Sequence, residues 1–187
     1  MPADLLPNDA IPGLAAKIDS RPLLRALWSL QRPGFIQNGK DVDEGRVAAL
    51  QQLAALGLVD PGYAAPTEGK PFVWVSNANG ERVLRHFQAN LTVHPRARTA
   101  LASLSEEDQL DILAAAGVLQ TRDPASWSND EAVRLNPEKP VYLLRVSPEF
   151  RAFIRVLSSG GIELFDVVRE ETLRLFLERE RGQGAHP

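Results

Sequence analysis

Arginine is the side chain in this sequence that is best suited to chemistry on an anionic ligand. The chain has 187 residues and 21 positively charged ones, of which only Lys17, Lys40, Lys70 and Lys139 are lysines. The planar guanidinium group pairs with phosphate and carboxylate groups through parallel hydrogen bonds. A cationic site in this protein would therefore be an arginine site. The alternative is codon usage in a GC-rich genome, which would favour Arg, Ala, Leu, Pro and Gly together and requires no site.

Other reactive groups are scarce. The sequence contains no Cys, which excludes disulfides, thiolate nucleophiles and Cys-ligated zinc or iron–sulfur clusters. His86, His94 and His186 are too far apart in sequence to form a metal-ligand motif. We therefore expect no metal and no cofactor. No apolar run approaches the ~18 residues that a membrane span needs, so we expect a cytoplasmic protein with no membrane partner.

The charge is balanced along the chain. Residues 1–88 hold 9 Lys and Arg against 9 Asp and Glu, and residues 89–187 hold 12 against 15. Neither half has the positive charge that is typical of a nucleic-acid-binding domain. The length allows two small modules, and we predict an α+β protein with one domain at residues 1–88 and a second at 89–187. Residues 1–10 lack periodicity and are expected to form a loose arm.

The first half predicts helices around a β-hairpin. Ser20 and Pro22 are typical of a helix start, and Asp43 can cap a second helix that ends at Gly57. The residues that follow predict two strands on either side of a Pro- and Gly-rich loop, and Asn79-Gly80 opens another helix. This order over about residues 20–88 resembles a winged helix-turn-helix domain. The resemblance rests on the stretches RVAALQQLAALGLV (46–59) and FVWVSNANG (72–80).

The winged-helix resemblance implies that the helix ending at Leu56 is a recognition helix and that the loop between Asp60 and Lys70 is the wing. Glutamine side chains on such a helix can hydrogen-bond to base edges. In the alternative interpretation, the acidic residues at the same helix start repel DNA phosphates, and the helix faces solvent or a protein. The residues that would bind nucleic acid are Lys40, Arg46, Gln51, Gln52 and Lys70. A DNA contact would also require Arg46, Lys40, Arg82 and Lys70 to lie on one side.

The second half predicts a strand at residues 90–93, then two helices with a turn at 103–105. Three alternating runs at 141–146, 150–157 and 162–168 complete an antiparallel sheet behind the helical hairpin. Residues 121–140 show no clear period and predict a long loop. A charged helix at 170–181 carries one apolar stripe, formed by Leu173, Phe176 and Leu177.

This second pattern resembles the RelE/ParE toxin superfamily over residues 90–177. The motifs that carry the resemblance are Pro95-Arg96-Ala97, Leu144-Arg145-Val146, Phe150-Arg151 and Val167-Val168-Arg169. In RelE-like ribonucleases, cationic side chains on the sheet hold the scissile phosphate of ribosome-bound mRNA, where negative charge builds up in the transition state. The resemblance implies this role for Arg151 and Arg169, with help from Arg145.

Two features of the sequence depart from the nuclease pattern. Phe176 lies near where many members have a tyrosine, and a phenyl ring cannot exchange a proton. The lysines that many members place on the first meander strand are absent, so acid–base catalysis lacks an obvious donor. ParE-like relatives dispense with the nuclease residues and act on gyrase. In the structural alternative, Arg145, Arg151 and Arg155 pair across strands with Glu149, Glu163 or Asp166.

Aromatic residues suggest one further contact point. Trp74 and Phe72 lie in a predicted strand and are expected in the core. Trp127 lies in the predicted 121–140 loop, where an exposed indole would be a partner anchor.

We expect a bacterial toxin–antitoxin-type regulatory or effector protein that acts by binding rather than as an enzyme. Its partner would be DNA, as in transcription regulation, RNA, or a protein such as an antitoxin or a complex subunit. One alternative is a ribosome-dependent endoribonuclease toxin. Another is a non-catalytic interaction or scaffold protein.

Overall fold

The computed structural model describes residues 5–31, 36–38, 44–62 and 72–183, which form a mixed α+β structure with two β-sheets. The expected α+β class is confirmed. The helices are α1 (Ala10–Ala15), α2 (Arg21–Ser29), α3 (Glu44–Ala55), α4 (Ala78–Asn90), α5 (Pro95–Ala102), α6 (Glu106–Leu119) and α7 (Glu170–Gln183). The strands are β1 (Ile36–Asn38), β2 (Val59–Gly62), β3 (Phe72–Ser76), β4 (Leu91–Val93), β5 (Ala132–Arg134), β6 (Val141–Arg145), β7 (Phe150–Val156) and β8 (Ile162–Arg169).

The N-terminal segment is held against α4. The amide of Leu6 donates a hydrogen bond to Asn79 Oδ1 at 3.1 Å, and Arg82 donates to the Leu6 carbonyl and to the Asn8 side chain. The prediction of a loose arm is therefore wrong for residues 5–10, because two α4 side chains satisfy its polar groups and α1 already begins at Ala10. Residues 1–4 lie outside the described part of the chain.

The smaller sheet has the order β1-β3-β2, with both pairs antiparallel. Gly57, in the turn after α3, has a φ of 71°, which confirms the predicted helix-ending glycine. Asn77 caps α4 by accepting from the amides of Asn79 and Gly80, so that helix starts slightly earlier than the predicted Asn79-Gly80 opening. Gly80 also lets α4 approach Leu58, the residue before β2, because a Cβ there would lie 2.2 Å from the Leu58 carbonyl oxygen. The predicted cap Asp43 and most of the predicted wing lie outside the described residues.

The larger sheet has the order β4-β8-β7-β6-β5. The β6, β7 and β8 strands form the predicted antiparallel meander, in which Arg145 lies opposite Arg151. The edge strand β4 pairs with β8 in parallel, with Leu91 opposite Ile162, so the prediction of a fully antiparallel sheet is wrong at this edge. The chain passes through α5 and α6 before it returns to the sheet, and a crossover of this kind permits parallel pairing.

The segment 121–140 contains regular structure that the sequence did not predict. Pro124–Ser126 form a short 3-10 turn, and β5 pairs antiparallel with β6, with Val133 opposite Leu143. The prediction of a long loop is therefore wrong at residues 124–126 and 132–134. The reason is the brevity of β5, since three residues are too few to show an alternating pattern.

Helix α6 joins two hydrophobic clusters. The predicted helical hairpin is present, and the Ser105 hydroxyl caps α6 by accepting from the amide of Asp108 at 3.1 Å. Ala114 and Val118 pack in a cluster with α1 to α4 and β2 to β3, whereas Ile112 and Leu119 pack in a second cluster with the larger sheet. Because α6 contributes to both clusters, it determines how the two halves meet. The predicted domain boundary at 88/89 stays a prediction.

Candidate functional site

Arg145, Arg151 and Arg169 lie at one end of the larger sheet, which we call the arginine end. Arg145 is the last residue of β6 and lies in register with Arg151 near the start of β7. Arg169 is the last residue of β8 and lies in register with Phe150. Since successive side chains of a strand point to opposite faces, Arg151 and Arg169 project on opposite sides of the sheet. The residues predicted to hold a scissile phosphate therefore share an end of the sheet but not a face.

The guanidinium of Arg151 is held by partners within the chain. Its Nε atom lies 2.9 Å from Glu170 Oε2, and one terminal nitrogen donates to the carbonyls of Ser147 and Phe150. Only 15% of the side chain is exposed. The structural alternative offered Glu149, Glu163 or Asp166 as partners, and none of these three carboxylates pairs with Arg151 because the register places Val168 opposite it. Glu170 therefore opens α7 next to Arg151.

Arg145 and Arg169 keep exposed guanidinium groups. The Arg145 side chain is 51% exposed, and its nearest carboxylate, Asp130, lies 3.9 Å away and is itself 97% exposed. The guanidinium carbon of Arg169 lies 5.4 Å from the centroid of the Phe150 ring, within the range of a cation–π contact. Both groups can therefore reach an external anion without breaking a tight internal ion pair.

The two acids of β8, Glu163 and Asp166, pair with arginines of the chain. Arg155 Nε donates to Glu163 Oε2 at 2.9 Å, which confirms cross-strand pairing for this arginine. Asp166 lies 2.8 Å from Arg96 of α5 rather than pairing within the sheet. These contacts explain the two acids of β8 without a ligand.

Arg21 connects the first half of the chain to the arginine end. Its terminal nitrogens donate to the carbonyls of Arg145 and Val146, both at 2.7 Å. Burial lowers the pKa of Arg21, and the charges of Glu131 and Asp111 oppose this effect. The contact was missed from the sequence, because Arg21 is separated from its partners by more than 120 residues and no local motif signals it.

A second ion pair lies beside this contact. Arg122 donates to Glu131, and Ser128 donates to the same carboxylate through its amide and its hydroxyl. The hydrogen bond from Arg122 is the main reason why the pKa of Glu131 falls to about 2. Glu131 therefore stays ionised and ties the residues before β5 to the end of α6.

A cavity of about 220 Å³ opens between α2, α3 and α6, and we call it the α2–α3–α6 cavity. Arg25 Nε lies 2.6 Å from Asp111 Oδ1, and its terminal nitrogen lies 3.5 Å from Glu107. Burial raises the pKa of Asp111. The charged residues that line the cavity are Arg21, Arg25, Arg46 and Asp111.

The predicted nucleic-acid residues that the structure describes differ in their surroundings. Arg46 is half-buried and lines the α2–α3–α6 cavity, whereas Gln51 and Gln52 are exposed on α3. Arg82 is occupied by the N-terminal segment. Lys40 and Lys70, the two predicted lysines of this group, lie outside the described residues.

Trp127 is buried rather than exposed. Only 9% of the residue is exposed, and its ring forms an edge-to-face contact with Tyr142, with ring centroids 4.9 Å apart. The expectation of an exposed partner anchor is wrong, because the turn at Pro124–Ser126 directs the chain onto the sheet. Trp74 is buried in the other cluster, which confirms its predicted core position, and the side chain of Phe72 is not among those described.

Helix α7 begins directly after β8 and exposes apolar side chains. Phe176 is 60% exposed and Leu175 is also exposed, whereas Leu173 is half-buried. The side chain of Leu177, the third residue of the predicted stripe, is not described. Because Arg169 is the residue before α7, these apolar groups follow the arginine end in sequence.

No group of three or more His, Asp or Glu residues in the described ranges could hold a metal ion. Among the same residues, no helix has the length and apolar character needed to cross a membrane. No protein-family model matches the chain, and no curated protein or solved structure is significantly similar to it.

Proposed function

We propose that the protein is a toxin–antitoxin-type regulatory or effector protein of the bacterial cytoplasm that acts by binding a protein partner. The observation that carries the proposal is that Arg169, whose side chain is exposed, directly precedes α7, a helix that exposes Leu175 and Phe176. Aromatic residues and arginines are both enriched at protein interfaces. The partner would present an acidic segment that carries an apolar side chain.

The contacts of Arg151 favour binding over RNA cleavage. Stabilisation of a pentacovalent phosphate needs guanidinium groups that already point at the reacting group. Arg151 instead contacts Glu170 and two carbonyls, and Arg169 projects on the other side of the sheet. Phe176 offers no proton for the leaving group.

The distribution of acids favours a protein over a nucleic acid. Exposed carboxylates of Asp130, Glu149 and Glu171 lie near the arginines in sequence or in the sheet. A uniform phosphate backbone would meet these acids as well as the arginines, whereas a protein can present charges that match both signs.

We also propose a specific fold for each half of the chain. The order α3, β2, β3 and α4, with a three-stranded sheet, supports the winged-helix interpretation of residues 20–88. The helical hairpin followed by the β6–β8 meander supports the RelE/ParE-like interpretation of residues 90–177. DNA contact by Gln51 and Gln52 would then be a secondary activity of the first half.

The test uses a fluorescein-labelled acidic peptide of glutamate and leucine, a 20-base-pair duplex DNA and a single-stranded RNA of the same length. Fluorescence anisotropy of the full chain at ~150 mM salt should show tighter binding to the peptide than to either nucleic acid. Arg169→Ala and Phe176→Ala should each weaken peptide binding about tenfold, and the exposed Arg98→Ala on α5 is the matched control. Equal binding by all variants, or preferential binding of nucleic acid, would overturn the proposal.

The nuclease alternative has its own experiment. Purified protein is added to translating ribosomes, and the ends of the mRNA are mapped. We expect no new ends beyond those in the untreated sample. New ends that disappear with Arg151→Ala would replace the binding proposal with ribosome-dependent cleavage.

A further inference from the structure

The α2–α3–α6 cavity has an excess of positive charge. Three guanidinium groups, those of Arg21, Arg25 and Arg46, line it together with one carboxylate, Asp111. Asp111 pairs with Arg25, and Glu107 also lies 3.5 Å from that arginine. Both acids at this cavity therefore pair with Arg25. The other two arginines have no close carboxylate among the described residues.

Arg21 is the more enclosed of these two arginines. Its terminal nitrogens donate to neutral carbonyls, and no described carboxylate lies within 4 Å of its guanidinium. The charges of Glu131 and Asp111 act on Arg21 from beyond ion-pair distance. A half-buried charge with no close counter-ion raises the free energy of the folded state. The lowered pKa of Arg21, caused mainly by burial, agrees with this geometry. A bound anion would add a counter-charge closer than any carboxylate among the described residues.

Arg46 is the second arginine of the cavity without a close carboxylate among the described residues. It is half-buried and makes no hydrogen bond or ion pair with any described residue. It lies in the first turn of α3, and Arg21 begins α2, so two helix N-termini meet the same cavity. The partial positive charge of a helix N-terminus adds to the attraction for an anion.

We infer that the α2–α3–α6 cavity binds a phosphoryl group through Arg46 and Arg21. The geometry of a guanidinium group matches the oxygens of a phosphate dianion. A volume of about 220 Å³ is below the ~300–1,000 Å³ of pockets that enclose a drug-sized ligand. The cavity therefore accepts the phosphate head, and the rest of the ligand lies outside it.

This inference goes beyond the proposed protein-binding function and uses different residues. The phosphoryl group can belong to a free phosphomonoester or to a nucleic-acid backbone, because both present the same oxygens to the cavity. Variants of Arg169 or Phe176 should leave phosphate binding unchanged. The two proposals can therefore fail separately.

The test follows amide shifts of the full chain by NMR while inorganic phosphate, ribose 5-phosphate or duplex DNA is added at 50 mM chloride. We expect inorganic phosphate or ribose 5-phosphate to bind with a Kd near or below ~1 mM and to shift the amides of Gly45 and Arg46. Arg46→Ala should weaken this binding about tenfold and leave the thermal melt unchanged, and Arg98→Ala should change neither.

The responses to ribose 5-phosphate and to duplex DNA distinguish a free phosphomonoester from a nucleic-acid backbone. Arg46-dependent binding of ribose 5-phosphate supports a free phosphomonoester. Arg46-dependent binding of the duplex without a response to ribose 5-phosphate supports a backbone phosphate. If neither binds, or if Arg46→Ala behaves like Arg98→Ala, the cavity is not a phosphoryl site.

Discussion

Arg151 and Glu170 form an ion pair across the junction of the larger sheet and α7, with Arg151 Nε 2.9 Å from Glu170 Oε2. No loop residue separates β8 from α7, and the amide of Glu170 also donates to the Glu149 carbonyl at 2.8 Å. The first residue of α7 is therefore fixed from two directions. The exposed apolar residues of the helix extend from this anchored start.

The first prediction concerns stability at Arg151. Arg151→Ala removes the ion-pair partner of Glu170 and the donor to the carbonyls of Ser147 and Phe150. The loss of hydrogen bonds made by a charged group costs about 1–3 kcal/mol. We expect the melting temperature to fall by several degrees. The exposed Arg145→Ala should leave it nearly unchanged, because the Asp130 contact at 3.9 Å is weak and exposed. Equal melts for both variants would mean that the Arg151 contacts contribute nothing.

The second prediction concerns pH and Glu131. Its pKa is about 2 in the folded protein, mainly because Arg122 donates to it, and about 4.5 without these contacts. A lowered pKa stabilises the folded state above pH 4.5, and this contribution disappears as the pH falls through 2. Wild type should therefore be more stable than Glu131→Gln at pH 7, by about 1–2 kcal/mol.

Urea unfolding between pH 7 and the lowest pH at which both proteins fold measures this difference. The difference in the free energy of unfolding between wild type and Glu131→Gln should decrease steadily below pH 4.5. The exposed Glu138→Gln serves as the control and should show little difference from wild type at pH 7. A difference at Glu131 that grows on acidification would contradict the assignment.

The third prediction compares two glycines in helices. A Cβ at Gly117 of α6 would lie 2.6 Å from Leu24 Cδ2, whereas nothing lies within 4 Å of a Cβ at Gly13 of α1. Replacing glycine by alanine favours a helix by up to about 1 kcal/mol, but overpacking costs about 1–3 kcal/mol. Gly13→Ala should raise the free energy of unfolding and Gly117→Ala should lower it. Denaturant titration of both variants measures these free energies. A higher free energy of unfolding for Gly117→Ala would show that Leu24 moves aside freely.

The fourth prediction concerns duplex DNA. The chain has a formal net charge of -3, so few phosphates can be neutralised at once. We expect weak non-specific binding at low salt that disappears near ~150 mM, as measured by anisotropy with a random duplex. Micromolar binding at that salt concentration would indicate a basic surface that the described residues do not provide.

Local sequence signals predicted the elements more closely than the contacts between them. Ser105 caps α6 and Gly57 ends the turn after α3, because capping depends on residues within one helical turn. The parallel pairing of β4 depends instead on a strand about 70 residues later, and no property of Leu91-Thr92-Val93 specifies it.

The candidate site was predictable only in part for the same reason. The sequence predicted Arg145, Arg151 and Arg169 as one group, and the sheet brings them to one end. Arg151 and Arg169 lie on opposite faces because of the register of β7 and β8, which cannot be predicted from the sequence. The contact of Arg151 with Glu170 and that of Arg21 with the Arg145 carbonyl could not be predicted from the sequence. Each contact joins elements that are distant in sequence or of different type.

The position of α6 between the two hydrophobic clusters also affects how the chain should open. Residues of α6 pack in both clusters, so a fluctuation that displaces α6 exposes apolar surface of both clusters at once. Amide hydrogens of α2, α6 and the central strand β7 should therefore exchange with solvent at similar slow rates, as one cooperative unit. A phosphoryl ligand held by Arg46 would slow exchange in β7, although it touches none of the residues of that strand.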